Sequence, residues 1–81
     1  MNLSDEVKKV VSRVLSIPEH DLSADAGLGA TKNWDSLNHT TLVLELEEAF
    51  DISFDFDELD KIVTIREIVK SLSAKGVTSL P

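Results

Sequence analysis

The sequence predicts an all-α fold, a small bundle of three to four helices with a long loop between the first two main helices. Apolar residues recur at helical spacing in three separate segments. Residues that favour helix N-caps stand at the start of each of these segments. A chain of 81 residues has room for one hydrophobic core. We therefore expect a single helical domain spanning residues 1–81.

The first helix is predicted to start at an N-cap, Ser4, with Asp5 and Glu6 in the first turn, where the helix dipole favours acidic side chains. Its apolar residues follow the i, i+3, i+4, i+7, i+8 rule of a core-facing stripe: Val7, Val10, Val11, Val14 and Leu15. Pro18 is expected to end the helix, because the residue before a proline avoids the helical conformation.

A long loop, residues 18–33, is predicted to follow the first helix. Leu22 and Leu28 are expected to anchor this loop to the core. Three of its residues favour turn conformations: Gly27, Gly29 and Asn33. A loop of this length in so small a domain is usually functional.

The second helix is predicted to run from about Ser36 to Phe50, with Asp35 as its N-cap. A helical wheel at 100° per residue separates two faces. The residues of the core face are Leu42, Val43, Leu46 and Phe50. The other face points away from the core and carries Leu37 and Leu44, which are two turns apart.

The remaining segment is predicted to contain a short extended stretch and a last helix. Apolar residues alternate with polar ones in the extended stretch: Ile52, Phe54 and Phe56. A minor helix is expected around residues 57–61. The last helix opens with a capping box, Thr64 to Glu67, in which each side chain can satisfy an unpaired amide. Its apolar stripe consists of Ile65, Ile68, Val69 and Leu72.

The charge distribution excludes several classes of partner. The net charge is −7, which argues against binding nucleic acid or anionic membrane surfaces. Residues 34–60 hold no Lys or Arg but nine carboxylates: Asp35, Glu45, Glu47, Glu48, Asp51, Asp55, Asp57, Glu58 and Asp60. There is no cysteine, no apolar run of membrane-spanning length and no basic-then-apolar leader. We expect a cytoplasmic monomer.

The head of the second helix resembles a known family. The run from Asp35 to Asp51, DSLNHTTLVLELEEAFD, closely resembles the phosphopantetheine attachment region of acyl carrier proteins. The likeness continues in the segments at Ile52, Lys61-Ile62 and Thr64-Ile65. The helix order and chain length also match that family over nearly the whole sequence.

The resemblance implies a function and a cofactor. A phosphopantetheinyl transferase would move 4'-phosphopantetheine from coenzyme A onto the Ser36 hydroxyl, which Asp35 and Leu37 flank. The terminal thiol of this arm would hold acyl groups as thioesters for enzymes of fatty-acid, polyketide or other specialised biosynthesis. The chain itself would have no catalytic residue and no metal site.

The outward face of the second helix predicts a docking site. Its two leucines lie beside carboxylates on the wheel, and the proposed docking residues are Leu37, Thr41, Leu44, Glu47 and Glu48. An apolar stripe with an acidic rim fits partners that present basic patches. The expected partners are acyl-loading and acyl-transfer or synthase enzymes.

Several positions depart from the pattern of fatty-acid carriers. Asn33 stands where those carriers usually have glycine, and Trp34 where they have a small residue. Asn33 tolerates the left-handed conformation that a glycine would supply. Asn38 and Thr41 replace residues that are commonly acidic. These differences indicate a specialised pathway rather than housekeeping fatty-acid synthesis.

Three other interpretations compete with the carrier. Ser36, His39 and Asp35 supply the residue types of a hydrolase triad, but His39 falls in the core face and is expected to be partly buried and hydrogen-bonded. The residues from Asp51 onward resemble the start of a calcium loop, but Phe56 and Ile62 stand where an EF-hand needs Gly and Glu. The third alternative is an unmodified acidic helical module for protein interaction.

Overall fold

Three α-helices form the body of the protein, and the computed structural model describes residues 2–78. The helices are α1 (Leu3–Leu15), α2 (Ser36–Phe50) and α3 (Ile65–Ala74), with short 3₁₀ turns at Glu19–Asp21 and Phe56–Glu58. α1 packs against both α2 and α3. The predicted all-α bundle is therefore confirmed. Within residues 2–78, no helix is long and apolar enough to cross a membrane.

α1 begins and ends earlier than predicted. Its N-cap is Asn2, whose side chain accepts a hydrogen bond from Asp5 N at 2.9 Å. The prediction of Ser4 was wrong because asparagine caps as well as serine, and the earlier start lets Leu3 pack into the core. At the other end, Ser16 takes the left-handed conformation with φ 57°, so the helix closes before Pro18.

The predicted core faces of the three helices are confirmed. Their fully or almost fully buried residues are Val7, Val10, Val11, Leu15, Leu42, Leu46, Phe50, Ile65, Ile68 and Leu72. Val14, Val43 and Val69 are partly buried at the edges of these faces. Leu22 anchors the long loop as predicted, but Leu28 remains 36% exposed, so its predicted burial was wrong.

The long loop is attached mainly to the start of α3 through backbone hydrogen bonds. Leu28 N donates to Val63 O at 2.8 Å, and the N–H groups of Ile65 and Arg66 donate back to loop carbonyls at 2.9 Å. The Arg66 guanidinium also pairs with the Asp25 carboxylate. These bonds explain why Leu28 need not be buried: the backbone, not this side chain, holds the loop to the bundle.

α3 starts at the predicted cap. The Thr64 hydroxyl oxygen accepts a hydrogen bond from Glu67 N at 3.1 Å. The second half of the capping box differs from the prediction, because the Glu67 carboxylate accepts from the Thr64 hydroxyl at 3.1 Å instead of from its backbone amide. Thr64 is still the residue that begins the helix.

The segment between α2 and α3 does not keep its apolar residues on one edge. Phe54 is buried, whereas Phe56 is 86% exposed. The expected alternation fails because the chain enters a 3₁₀ turn at Phe56, one residue before the minor helix predicted for residues 57–61. A 3₁₀ turn does not place alternate residues on one face.

Glu58 connects this segment to α3. Its Oε2 accepts hydrogen bonds from Asp55 N at 2.6 Å and Lys75 Nζ at 2.7 Å. Its Oε1 accepts from the Ser71 hydroxyl at 2.9 Å. These bonds lower the pKa of the Glu58 carboxyl from 4.5 to about 2, with the bond to Lys75 contributing most.

Glu58→Gln is therefore expected to lower the melting temperature at pH 7. The melting temperature of this variant should also depend less on pH than that of the wild type. A depressed carboxyl pKa stabilises the folded state above the unfolded value of 4.5, and that stability is lost as the pH falls towards about 2. Melting curves between pH 2 and 7 measure both effects. The neighbouring exposed carboxylate supplies the control, Asp57→Asn, which should behave like the wild type. If the melting temperatures of Glu58→Gln and the wild type changed identically with pH, the Glu58 carboxyl would not be the group that stabilises the fold above pH 4.5.

Candidate functional site

The N-terminus of α2 presents a serine at the first position of the helix. Asp35 is the N-cap, and its Oδ1 accepts a hydrogen bond from Asn38 N at 2.9 Å. Ser36 follows directly and is exposed. The Thr40 hydroxyl donates to Ser36 O at 3.1 Å, one turn into the helix. The predicted start of the helix is confirmed, and it places the Ser36 side chain at the surface of a rigid element.

The residues before Ser36 are fixed by the core and by the loop. Asn33 adopts the left-handed conformation with φ 67°, as predicted. Its side-chain amide donates to Leu15 O at the end of α1 at 2.9 Å, and Asn38 Nδ2 donates to Asn33 O at 2.8 Å. Trp34 is only 1% exposed. The helix start that carries Ser36 is therefore tied to α1 and to the core.

The surroundings of Ser36 suit a phosphodiester. Within residues 2–78, no hydrogen bond engages the Ser36 hydroxyl, so this nucleophile is open to another protein. An open depression of about 510 Å³ lies beside it, lined in part by Leu28, Gly29 and Asp35. The first amides of a helix have no partner within the helix, and with the helix dipole they favour a negative group at this end. These features fit the attachment of a phosphopantetheine arm.

His39 is engaged with the core and not with Ser36. Its Nδ1 accepts a hydrogen bond from the indole Nε1 of Trp34 at 2.9 Å, and the two rings stack with centroids 6.1 Å apart. Its Nε2 is buried and has no partner within the described residues. The sequence-based expectation of a partly buried, hydrogen-bonded histidine is confirmed. Because neither ring nitrogen contacts Ser36 or Asp35, the hydrolase triad is not assembled.

The outward face of α2 carries the residues that were predicted to dock partners. Leu37 is 77% and Leu44 61% exposed, and Thr41 and Glu48 are also exposed. Glu47 is half-buried, and its Oε2 accepts a hydrogen bond from Phe54 N at 2.9 Å. Leu37, Thr41, Leu44 and Glu48 are thus free to contact a partner, whereas the Glu47 carboxylate already has a role in the fold.

A groove runs along α2 beside these leucines, a feature that the sequence analysis did not define. We call it the α2 groove; its volume is about 360 Å³, and it is lined by His39, Thr40, Val43, Leu44, Glu47, Phe54 and Leu59. The position of Phe54 and Leu59 depends on how the segment after α2 folds back, which no local pattern specifies. Two signals were available in the sequence: Val43 lies at the edge of the predicted core face, and Leu59 is bulkier than usual beside the region where the resembled family shelters its acyl chain.

An exposed aromatic side chain is the second feature that sequence reasoning missed. Phe56 was expected on an apolar edge, yet it is 86% exposed beside the carboxylates of Asp55 and Asp57.

Among the residues that the structure describes, no group of three or more acidic or histidine side chains could hold a metal ion.

A family comparison agrees with this geometry. The model of the phosphopantetheine attachment site matches residues 5–72, which include all of α2 and the loop before it. Members of this family bind 4'-phosphopantetheine covalently through a serine, and they carry acyl groups for partner enzymes without being catalytic themselves. An exposed serine at the start of α2 is what such a carrier requires. The chain belongs to this phosphopantetheine-binding family of acyl-carrier-type proteins.

Proposed function

We propose that this chain is an acyl carrier protein whose phosphopantetheine arm is attached to Ser36 and presents thioester-bound acyl intermediates to the enzymes of a specialised biosynthetic pathway. The observation that carries the proposal is the Ser36 hydroxyl, which is exposed at the N-terminus of α2 and makes no hydrogen bond to any residue from 2 to 78. The Asp35 cap and the buried Trp34 fix the two residues that lead into Ser36.

Different parts of the chain have different roles when the phosphopantetheine arm is attached and loaded. Ser36 Oγ attacks the phosphorus of coenzyme A that bears the pantetheine arm: the ester bond forms as the pyrophosphate bond breaks, 3',5'-ADP leaves, and the serine proton passes to the transferase. Within residues 2–78, no side-chain base is hydrogen-bonded to the Ser36 hydroxyl. The amide dipoles at the start of α2 stabilise the charge of the phosphodiester. The arm contributes a terminal thiol, on which the acyl group is carried as a thioester. The α2 groove begins at His39, one turn after Ser36, and supplies apolar surface for part of the cargo.

Ser36→Ala is expected to abolish modification. The wild-type protein, incubated with coenzyme A and a phosphopantetheinyl transferase, should gain the mass of one phosphopantetheinyl group, and the alanine variant should gain none. The matched control is Ser53→Ala, which removes another exposed serine hydroxyl and should be modified like the wild type. Intact-mass spectrometry gives the answer directly. A wild type that stays unmodified would favour the alternative function, an acidic helical interaction module.

We also propose that the outward face of α2 is the docking surface for the transferase and for acyl-loading and acyl-transfer or synthase enzymes. Two exposed leucines, Leu37 and Leu44, lie two turns apart on this face, and the exposed carboxylate of Glu48 lies next to them. Partners are expected to present an apolar patch with basic residues around it. Charges at a rim mainly set the association rate, whereas a desolvated apolar anchor mainly sets dissociation.

Glu48→Lys should therefore slow association with the transferase and weaken its dependence on salt, and Leu37→Ala should instead speed dissociation. A true apolar anchor would cost about 1–2 kcal/mol on truncation. Surface plasmon resonance at several salt concentrations separates the two rates. The same charge change outside α2, at the exposed Glu19, is the control: Glu19→Lys should leave both rates close to those of the wild type. Equal effects of Glu19→Lys and Glu48→Lys would mean that net charge alone sets the association rate. The proposal that partners dock on the outward face of α2 would then be wrong.

The assignment to a specialised pathway rests on the residues that differ from fatty-acid carriers. Asn38 donates its side-chain amide to Asn33 O, a bond that an aspartate at position 38 could not make. The uncharged Thr41 lies on the docking face between the two leucines. Asn38 and Thr41 together make this surface less negative, which weakens its attraction to the basic residues of housekeeping enzymes. Enzymes selected for this less acidic edge are the expected partners.

A further inference from the structure

A buried hydrogen-bond donor without a partner lies beside the α2 groove. His39 lines this groove one turn after Ser36, and its Nε2 is buried with no hydrogen-bond partner within the described residues. Buried polar atoms are almost always hydrogen-bonded in folded proteins, and an unpaired one is unfavourable. The other ring nitrogen, Nδ1, accepts a hydrogen bond from Trp34 and so helps to hold the fold together. No such contact accounts for Nε2.

The bond from Trp34 fixes which atom of His39 carries the proton. An indole N–H can only donate, so Nδ1 must be the accepting nitrogen and Nε2 must carry the hydrogen of the neutral ring. Burial also lowers the pKa of His39 below its ordinary value of 6.5, which keeps the ring neutral at pH 7. His39 is thus held as a neutral imidazole with an N–H donor at Nε2.

Each of the other polar side chains of the α2 groove makes a hydrogen bond within the fold. The Thr40 hydroxyl donates to Ser36 O at 3.1 Å. Glu47 Oε2 accepts from Phe54 N at 2.9 Å. The rest of the lining is apolar, with Val43, Leu44 and Leu59. The hydrocarbon part of a saturated acyl chain would suit those apolar walls but offers no acceptor to His39 Nε2–H.

We propose that His39 determines cargo specificity: when cargo enters and widens the α2 groove, the Nε2–H, which is closed to solvent in the unloaded protein, donates a hydrogen bond to a carbonyl or hydroxyl oxygen of the acyl chain beyond its thioester carbonyl, so that the groove favours oxygenated cargo over saturated hydrocarbon chains. This inference rests on the proposed function, because the cargo reaches the groove on an arm attached to Ser36. His39 acts here as a positioning residue that selects what lies in the groove; it takes no part in forming or breaking the thioester.

Nuclear magnetic resonance of the His39 side chain tests the hydrogen bond directly. Three forms of the wild type are compared: the arm alone, a saturated acyl chain, and a 3-oxo or 3-hydroxy chain of equal length, the last two joined through an amide that resists hydrolysis. Intact mass first establishes that Ser36 is loaded. Only the oxygenated cargo should shift the proton on Nε2 downfield and slow its exchange with water. A shift already complete with the arm alone, or equal for both chains, would overturn the inference while leaving the carrier function standing.

Cleavage of the natural thioesters by hydroxylamine tests specificity in variants. Each cargo is compared across proteins, so that differences in intrinsic reactivity cancel. For the oxygenated cargo, His39→Leu should be cleaved about fivefold faster than the wild type, the value of one ordinary hydrogen bond. His39→Gln can both accept from Trp34 and donate to the cargo, so it should restore much of the protection. For the saturated cargo, His39→Leu should give no acceleration. Equal acceleration for both cargoes would show a structural role alone and would overturn the inference, as would a failure to load Ser36, which mass spectrometry identifies separately.

Discussion

Trp34→Ala is expected to destabilise the protein strongly at 25 °C. Trp34 is the largest fully buried side chain, with 1% of its surface exposed. Truncating a buried tryptophan costs about 3–5 kcal/mol through lost apolar contacts and the cavity that remains. A domain of this size has a free energy of unfolding of only about 4–12 kcal/mol. The truncation therefore removes a large part of the total stability, and urea denaturation measures it.

The hydrogen bond to His39 adds to this effect and can be separated from it. Trp34→Phe keeps most of the buried volume but removes the indole N–H that His39 Nδ1 accepts. We expect this variant to lose about 1–2 kcal/mol, much less than the alanine variant. The histidine should then lose its fixed tautomer, which nuclear magnetic resonance of the ring nitrogens would show. A free energy of unfolding for Trp34→Ala close to that of the wild type would mean that the core does not depend on this residue.

The helical faces could be predicted from sequence because they depend on local periodicity. Spacing alone identified the buried valines of α1 and the core arc of α2, and both are confirmed. Spacing could not choose between Ser4 and Asn2 as the first cap, because both residue types cap well and the difference lies in the burial of Leu3. It also could not distinguish Leu22 from Leu28, because backbone bonds to α3 decide which loop residue is buried.

In the candidate site too, the features that depend on local sequence could be predicted, and those that depend on tertiary packing could not. Ser36 could be singled out from sequence because the residues around it resemble a family and the helix start is a local signal. The expectation that His39 would be partly buried also came from the wheel. Its partner Trp34 could not be predicted, because the contact depends on the path of the loop before α2. The lining of the α2 groove could not be derived from spacing either, since Phe54 and Leu59 reach it only through tertiary packing.

Gly27→Ala should disrupt the attachment of the long loop to the start of α3. A Cβ atom at Gly27 would lie 2.5 Å from Val63 O and 2.9 Å from Thr64 Cγ2. Real contacts are never that short, and the first of these atoms belongs to the backbone, so the loop must move. Val63 O is also the acceptor for Leu28 N. We expect a loss of about 1–3 kcal/mol, typical of overpacking a close contact, measured by urea denaturation.

Hydrogen exchange shows whether the loop has moved away from α3, and Gly29→Ala is the matched control. Gly29 has φ +80° and no atom within 4 Å of an added Cβ, so its substitution strains the backbone without a clash, at roughly 1–2 kcal/mol. Both variants should be destabilised, but the amides of Leu28, Ile65 and Arg66 should lose protection ahead of the helices only in Gly27→Ala. Because the same loop leads into Trp34 and Ser36, transfer of phosphopantetheine to Gly27→Ala should also be slower. Uniform loss of protection in both variants would mean that the contact with Val63 does not hold the loop in place.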